Sequence, residues 1–249
     1  MASLILAIRF LTIVPIPGRE GKGPGALGRA AWWFPAVGLG LGALLALADA
    51  GISRLFPPLV AAALVLALWK ALTGGIHLDG LADCLDGLAG RDPEHRRAIM
   101  KDSRIGVFGT LGLILILIAA WSTLSDLPSG IRWRALLVAP ALGRTMPLLL
   151  GDGLRKMVVR GGLGADFVSG LSRSASLLWG CVTLLLTTYL LWPGGWLAWI
   201  GSHLGCTLWC GLLVGRLRGI SGDVLGSAVE VGELAFLLAV VALARSALV

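Results

Sequence analysis

The stretch "AWWFPAVGLGLGALLALADA", residues 31–50, decides the fold class, because its only charged residue is Asp49, next to its end. A transmembrane helix requires about 20 consecutive, predominantly apolar residues, and this stretch supplies them. The whole chain has the same character: of its 249 residues 57% are apolar and 14% are charged, and its mean hydropathy is +0.87. A soluble domain has about a quarter of its residues charged. The sequence therefore predicts an integral membrane protein that lies in the lipid bilayer.

Further apolar stretches of spanning length follow, at about residues 55–72, 106–124, 134–151, 176–193, 195–215 and 224–244. With residues 31–50 they predict an all-α polytopic bundle of about seven transmembrane helices. The N-terminal stretch 4–18 is shorter and has two prolines near its end, so it predicts a short interfacial or re-entrant helix. It lacks the basic start and the cleavage site of a signal peptide. We expect one membrane-embedded catalytic domain over residues 1–249, with its longest polar loop at about 73–105. The Gly-rich spans permit a homo-oligomer without requiring one.

The positive charges predict the orientation of the bundle. Alternating spans place most of the 21 Lys and Arg residues on the side of the N-terminus, Arg160 among them. The residues that fall on the opposite side are Arg54, Arg132, Arg134 and Arg245. Basic residues concentrate on the cytoplasmic side of membrane proteins. We therefore expect a multi-pass protein of the cytoplasmic (inner) membrane, with the N-terminus and the loop 73–105 in the cytoplasm. The net charge of +7 indicates this topology and not a nucleic-acid partner.

Three aspartates stand close together in that loop, in "GGIHLDGLADCLDGLAG", residues 74–90. Asp79, Asp83 and Asp86 are spaced i, i+4 and i+7, so on a helix they share one face. Like charges at this spacing destabilise a helix, and a cation is needed to hold them together. Mg²⁺ prefers oxygen ligands and is commonly shared between one or two carboxylates and substrate phosphates. The stripe therefore predicts a Mg²⁺ site. His77 precedes the stripe and is a candidate base, outer ligand or structural histidine.

Basic and hydroxyl residues follow in "RDPEHRRAIMKDSRIGVFG", residues 91–109. Asp92 and Pro93 predict a helix start, with Asp92 as its cap. Lys101, Ser103 and Arg104 come after this helix. Beside an acidic metal face, such residues suit the oxygen atoms of a substrate diphosphate.

A second acidic pattern lies near the C-terminus in "GISGDVLGSAVEVGELAFLL", residues 219–238. Asp223 and Glu230 repeat the spacing of Asp79 and Asp86, and we predict that they form the far wall of the metal site. Glu230 and Glu233 lie inside an apolar span, as does Arg144. Ionisable residues at membrane depth are costly and commonly functional. Arg144 is predicted either to pair with Glu230 or to bind a substrate phosphate, and a buried ion pair that holds helices together is the structural alternative.

These motifs resemble the cobalamin synthase family, whose members are adenosylcobinamide-GDP ribazoletransferases. The resemblance is carried by "GGIHLDGLADCLDGLAG" (74–90), "IMKDSRIGVFG" (99–109) and "SGDVLGSAVEVGE" (221–233), and by "RFLTIVPIPG" (9–18) near the N-terminus. It spans nearly the whole chain. Ser221 stands where the family pattern is expected to have threonine, which is a conservative difference.

The resemblance implies the last assembly step of vitamin B12. A ribose hydroxyl of α-ribazole, or of its 5′-phosphate, attacks the phosphorus next to the cobinamide arm of adenosylcobinamide-GDP, and GMP leaves. It also implies a Mg²⁺ cofactor held by Asp79, Asp83 and Asp86. Lys101 and Arg104 would neutralise charge on the departing GMP. Asp83, Asp102 or His77 would accept the proton of the hydroxyl.

Two other classes of protein suit parts of the sequence. A CDP-alcohol phosphotransferase also displaces a nucleoside monophosphate with an alcohol, but Asp83 and Cys84 stand where its pattern has Ala-Arg. A divalent-cation transporter would account for Glu230 and Glu233 inside a span. Its site is expected near the middle of the bilayer, whereas the strongest acidic cluster here lies in a loop.

Overall fold

The computed structural model describes residues 1–159 and 161–249, so Arg160, which was assigned to the side of the N-terminus, lies outside the described residues. The described residues form twelve α-helices. They are α1 (Ala2–Leu11), α2 (Ala26–Ala30), α3 (Phe34–Ile52), α4 (Pro58–Leu72), α5 (Ile76–Leu88), α6 (Pro93–Met100), α7 (Val107–Asp126), α8 (Ser129–Gly153), α9 (Gly162–Gly170), α10 (Arg173–Leu190), α11 (Gly195–Leu217) and α12 (Gly222–Arg245).

The prediction of an all-α membrane bundle is confirmed. Five single helical segments are long and apolar enough to cross a membrane: Ala26–Ile52, α7, α8, α11 and α12. Two further spans are bent pairs, α4 with α5 and α9 with α10, so the total reaches seven if each pair counts as one span. The protein is therefore a multi-pass membrane protein, and each of the seven predicted stretches corresponds to a helix of the bundle. The short N-terminal helix is present as α1, which buries Ala7 and Leu11.

The bend between α4 and α5 determines where the acidic stripe lies. The two helices meet at 89°. Gly74 and Gly75 join them with φ angles of 62° and 69°, which is left-handed backbone that glycine adopts without the steric cost of a side chain. The loop predicted at 73–105 is thus mostly helical, because α5 and α6 lie within it. Its first helix carries Asp79, Asp83 and Asp86.

The packing of α3 against α8 depends on small residues in the Gly-rich first span. A Cβ atom added at Gly38 would lie 2.6 Å from the Cα atom of Ala141, which belongs to α8. The contact therefore joins the two backbones directly, as is common where membrane helices pack closely. Gly40 lies on the same helix, and a Cβ atom added there would have no neighbour within 4 Å. The two glycines thus differ in the packing space around them.

We expect Gly38→Ala to lower the free energy of unfolding by about 1–3 kcal/mol, because an added methyl group must push α3 away from α8. Gly40→Ala is the matched control. It adds the same methyl group to the same helix in open space, and we expect it to leave stability unchanged or to raise it slightly, since alanine favours helix over glycine. Unfolding of both variants in detergent micelles, followed by circular dichroism, compares them. Equal losses in the two variants would contradict the packing argument.

Candidate active site

A large cavity of about 670 Å³ opens between α1, α5, α8, α9 and α12. This volume is in the usual range for small-molecule sites. Its lining contains both polar and apolar side chains. The polar side chains that line it are His77, Asp79, Arg97, Lys101, Arg144, Ser221 and Asp223. The cavity therefore brings together residues from both acidic motifs and from the basic segment between them.

Asp79 and Asp223 line the cavity from two helices that touch. A Cβ atom added at Gly80 would lie 3.0 Å from the backbone oxygen of Asp223, so α5 and α12 pack backbone to backbone at this point. Ser221 caps α12 by accepting a hydrogen bond from the backbone nitrogen of Val224 at 3.3 Å, and its hydroxyl donates to Asp223 Oδ2 at 3.2 Å. The prediction that the two acidic motifs face one site agrees with this geometry for Asp79 and Asp223.

Asp83 lies one turn further along α5, half-buried and within electrostatic reach of Asp79 and Asp223. It is not among the described residues that line the cavity. Within the described ranges, none of Asp79, Asp83 and Asp223 forms a salt bridge. Three carboxylates with no compensating charge attract a cation.

The donors at this position fit Mg²⁺ as a shared ion. No group of three or more His, Cys, Asp or Glu side chains in the described part of the chain is arranged to hold a metal by itself. Mg²⁺ seldom needs such a cage, because it retains waters and binds through one or two carboxylates together with substrate phosphates. Asp79 and Asp223 supply two carboxylates at the cavity wall.

Asp86 departs from the predicted metal role. Its two carboxylate oxygens accept hydrogen bonds from the backbone nitrogens of Gly106 and Gly109, at 2.7 and 2.8 Å, and the side chain is buried. These nitrogens belong to the first turn of α7, whose amide groups have no partner inside the helix. Asp86 therefore caps α7 from a different helix and holds α5 against it.

We expect Asp86→Ala to cost about 1–2 kcal/mol of stability, as the loss of a helix cap does. Asp79→Asn serves as the comparison, since Asp79 is exposed in the cavity. We expect that variant to unfold at nearly the wild-type denaturant concentration. Denaturant unfolding monitored by tryptophan fluorescence measures both. A larger loss of stability in Asp79→Asn than in Asp86→Ala would contradict the capping role.

The predicted roles of Asp102, Ser103 and Arg104 also find no support in their positions. None of the three is among the described residues that line the cavity. Arg104 forms a salt bridge with Asp102 at 2.6 Å, and this hydrogen bond from Arg104 lowers the pKa of Asp102 to about 2. A carboxyl group with so low a pKa is a poor general base near neutral pH.

Lys101 does line the cavity, together with Arg97 from α6. The helix begins as predicted: Asp92 accepts hydrogen bonds from the backbone nitrogens of Glu94 and His95 at 3.0 and 2.9 Å. Arg97 donates to the backbone oxygen of Leu217 at 3.1 Å, which fixes α6 next to the end of α11. The basic side chains at the cavity are therefore Lys101 and Arg97, both from the basic segment that follows the acidic stripe.

Two buried polar side chains line the cavity with an atom that has no partner. Nδ1 of His77 and Nε of Arg144 are shielded from solvent, and neither has a hydrogen-bond partner among the described residues. Buried polar atoms nearly always have partners, so these two nitrogens are exceptions among the described residues. Arg144 lines the cavity, as the phosphate-binding alternative requires.

Glu230 departs from its predicted place in the metal site. It accepts a hydrogen bond from Lys70 Nζ at 2.6 Å, and Lys70 also contacts Glu233 at 3.3 Å. Arg144 pairs with Glu233, and not with Glu230. The four residues form a buried network between α4, α8 and α12, as in the structural alternative of a buried ion pair that joins helices.

The sequence analysis overlooked a Gly-rich segment before and within α9 that lines the cavity, at Gly161, Gly162 and Gly164. Gly164 packs against the start of α12, since a Cβ atom added there would lie 2.7 Å from the backbone nitrogen of Gly222. The letters "GGLG" at the start of a helix are a usable signal, because Gly-rich helix starts commonly bind phosphate.

Comparison with protein families matches residues 3–241 to the family described as CobS, cobalamin-5-phosphate synthase. Curated relatives named adenosylcobinamide-GDP ribazoletransferase include that of Geotalea daltonii, 35% identical over 96% of both chains. The relative from Ectopseudomonas mendocina is 39% identical, and the match covers 94% of this chain and 96% of the relative. The relative from Desulfitobacterium hafniense is 38% identical over 96% of both chains. No solved structure matches the chain. A family match over almost the full length, with relatives of this similarity, shows that the chain belongs to the cobalamin-5-phosphate synthase family.

Proposed function

We propose that this protein joins α-ribazole 5′-phosphate, or α-ribazole, to adenosylcobinamide-GDP and releases GMP. One observation carries the proposal: a single cavity has Asp79 and Asp223 on two touching helices, with Lys101 and Arg144 on its other walls. Transfer at a diphosphate needs positioning and charge neutralisation more than covalent help. The relatives' names supply the two substrates.

The ribose hydroxyl oxygen of the acceptor forms a bond to the phosphorus that carries the cobinamide arm. The bond between that phosphorus and the bridging oxygen breaks, and GMP leaves with the electron pair. The product is a phosphodiester, and the hydroxyl proton passes to a base. No other reactant is consumed.

Mg²⁺, when bound, would neutralise charge on the diphosphate. Asp79 and Asp223 would hold it, with Asp83 one turn further along α5. Asp86 and Glu230, which were also predicted as ligands, have other partners. Lys101 and Arg97 would bind oxygens of the departing GMP. Arg144 lines the cavity and would add positive charge near the phosphates.

We assign the hydroxyl proton to His77. Of the three predicted bases, His77 is the one that lines the cavity, and one of its ring nitrogens has no partner among the described residues. Asp83 is not among the described residues that line the cavity, and Asp102 is paired with Arg104.

We further propose that residues 1–249 form one catalytic domain in the cytoplasmic membrane, with the cavity on the cytoplasmic side. Residues that line the cavity run from Phe10 to Val229, which supports a single domain. The distribution of basic residues supports the orientation, and water-soluble nucleotide substrates would reach the cavity from that side.

The test is to add adenosylcobinamide-GDP, α-ribazole 5′-phosphate and Mg²⁺ to the purified protein in detergent. We expect GMP and a cobalamin phosphate in equal amounts, and loss of both when EDTA removes Mg²⁺. GMP without the corrinoid product would indicate hydrolysis and would contradict the transfer. Formation of neither, with Mg²⁺ flux in vesicles, would favour the transporter alternative.

A further inference from the structure

Three phenylalanines from three helices form an aromatic wall in the cavity. Phe10 of α1 and Phe34 of α3 stack with ring centroids 5.7 Å apart and planes 15° apart. Phe167 of α9 lies 5.8 Å from Phe34 with planes 38° apart. Phe34 and Phe167 are 3% and 4% exposed, and all three line the cavity. Leu11, Leu27 and Leu163 extend the same apolar surface.

The aromatic wall belongs to the same cavity as the charged groups Asp79, Asp223 and Arg144. A ligand that fills the cavity must therefore have an ionic part and a flat apolar part. The charged wall accounts for the phosphates of the proposed reaction. It leaves the aromatic wall without an assigned ligand group.

The proposed substrates contain several flat groups, and their polarity distinguishes them. Guanine and adenine have exocyclic amino or oxo groups, and each such group costs free energy if it is buried without a hydrogen-bond partner. The corrin ring is surrounded by polar amide arms. The dimethylbenzimidazole of α-ribazole has two methyl groups and, once joined to ribose, a single free ring nitrogen. It is the group that an apolar wall of phenylalanines suits best.

We propose that Phe10, Phe34 and Phe167 bind the benzimidazole base of the acceptor. This inference rests on the proposed function and names the acceptor subsite of the same cavity. With the base on the aromatic wall, the attached ribose extends towards Asp79 and Asp223, where the diphosphate binds. The reacting hydroxyl is thereby oriented before the reaction, which is a large source of rate enhancement.

Kinetics on the complete protein test the subsite through Phe34→Leu and Phe167→Leu. We expect each variant to raise KM for α-ribazole 5′-phosphate about tenfold, because stacking of a base on an aromatic ring is lost. KM for adenosylcobinamide-GDP should change by less than about twofold, since that substrate contacts the charged wall. Phe236→Leu is the matched control, because Phe236 is fully buried outside the described lining of the cavity. We expect it to leave both KM values unchanged.

Binding measured by calorimetry separates this inference from the proposed function. Wild-type protein without donor should bind α-ribazole, and the Phe34 and Phe167 variants should bind it about tenfold more weakly. Absence of turnover in the wild type, with this binding pattern intact, would refute the transfer and retain the subsite. Two results would overturn the subsite while wild-type turnover is normal. One is unchanged acceptor binding in both variants, and the other is a raised KM for the donor alone.

A series of acceptors provides a test that needs no variant. With wild-type protein, the riboside phosphate of dimethylbenzimidazole should have a KM at least tenfold below that of the adenine riboside phosphate in the same α configuration. An apolar wall leaves the amino group of adenine unpaired. Equal KM values for the two acceptors would overturn the assignment of the aromatic wall to the base.

Discussion

Asp79→Asn and Asp223→Asn are each expected to lower kcat at least about 100-fold, because each removes a charge that holds Mg²⁺ against the diphosphate. The asparagine side chain keeps the shape and one oxygen of the carboxylate, so folding should be retained. The double variant should lose little more than either single variant, since groups that act as one unit are not additive. Release of GMP at saturating substrates measures all three.

The Mg²⁺ dependence of these variants distinguishes a metal role from a general loss of activity. We expect the Mg²⁺ concentration for half-maximal activity to rise in both single variants. Asp126→Asn is the matched control, because Asp126 is exposed and pairs with Arg245 at 2.9 Å, away from the cavity. If Asp223→Asn kept wild-type turnover and Mg²⁺ dependence, the metal site would consist of α5 residues alone. The assignment of Asp223 as a metal ligand would then be wrong.

Much of the fold could be predicted because its causes are local. A span of about 20 apolar residues forms a helix in a bilayer, because the helix pairs its backbone N–H and C=O groups within the segment. The cap at Asp92 is likewise local, because its carboxylate accepts from the backbone nitrogens of Glu94 and His95, two and three residues later. The paired glycines Gly74 and Gly75 are visible in the sequence as a turn signal. The 89° bend between α4 and α5 that they permit could not be predicted from it.

The parts of the site that the sequence analysis misplaced depend on contacts between distant helices. Asp86 repeats the spacing of a metal ligand, yet it caps α7 because the turn before Gly106 returns the chain to α5. Periodicity places Asp79, Asp83 and Asp86 on one face, but it does not reveal which neighbour each residue on that face meets. For the same reason Glu230 was assigned to the metal, whereas Lys70 of α4 is its partner.

The network of Lys70, Glu230, Glu233 and Arg144 has two positive and two negative charges, and all four side chains are at least 85% shielded from solvent. We expect Lys70→Met to lower the free energy of unfolding by about 3–5 kcal/mol, because it leaves one buried negative charge without compensation. Reversible unfolding in detergent micelles measures this loss.

The double variant Lys70→Met/Glu230→Gln restores neutrality and should be more stable than Lys70→Met alone, even though it has one more substitution. This reversal is expected only if the uncompensated charge, and not a lost contact, causes the damage. Arg245→Met is the control, since the salt bridge from Arg245 to Asp126 is exposed and is expected to contribute less than about 1 kcal/mol. A loss in Lys70→Met no larger than that in Arg245→Met would mean that the network does not stabilise the bundle. In that case the salt bridge with Glu233 would contribute little to the position of Arg144. The packing of α8 alone would then place Arg144 at the cavity.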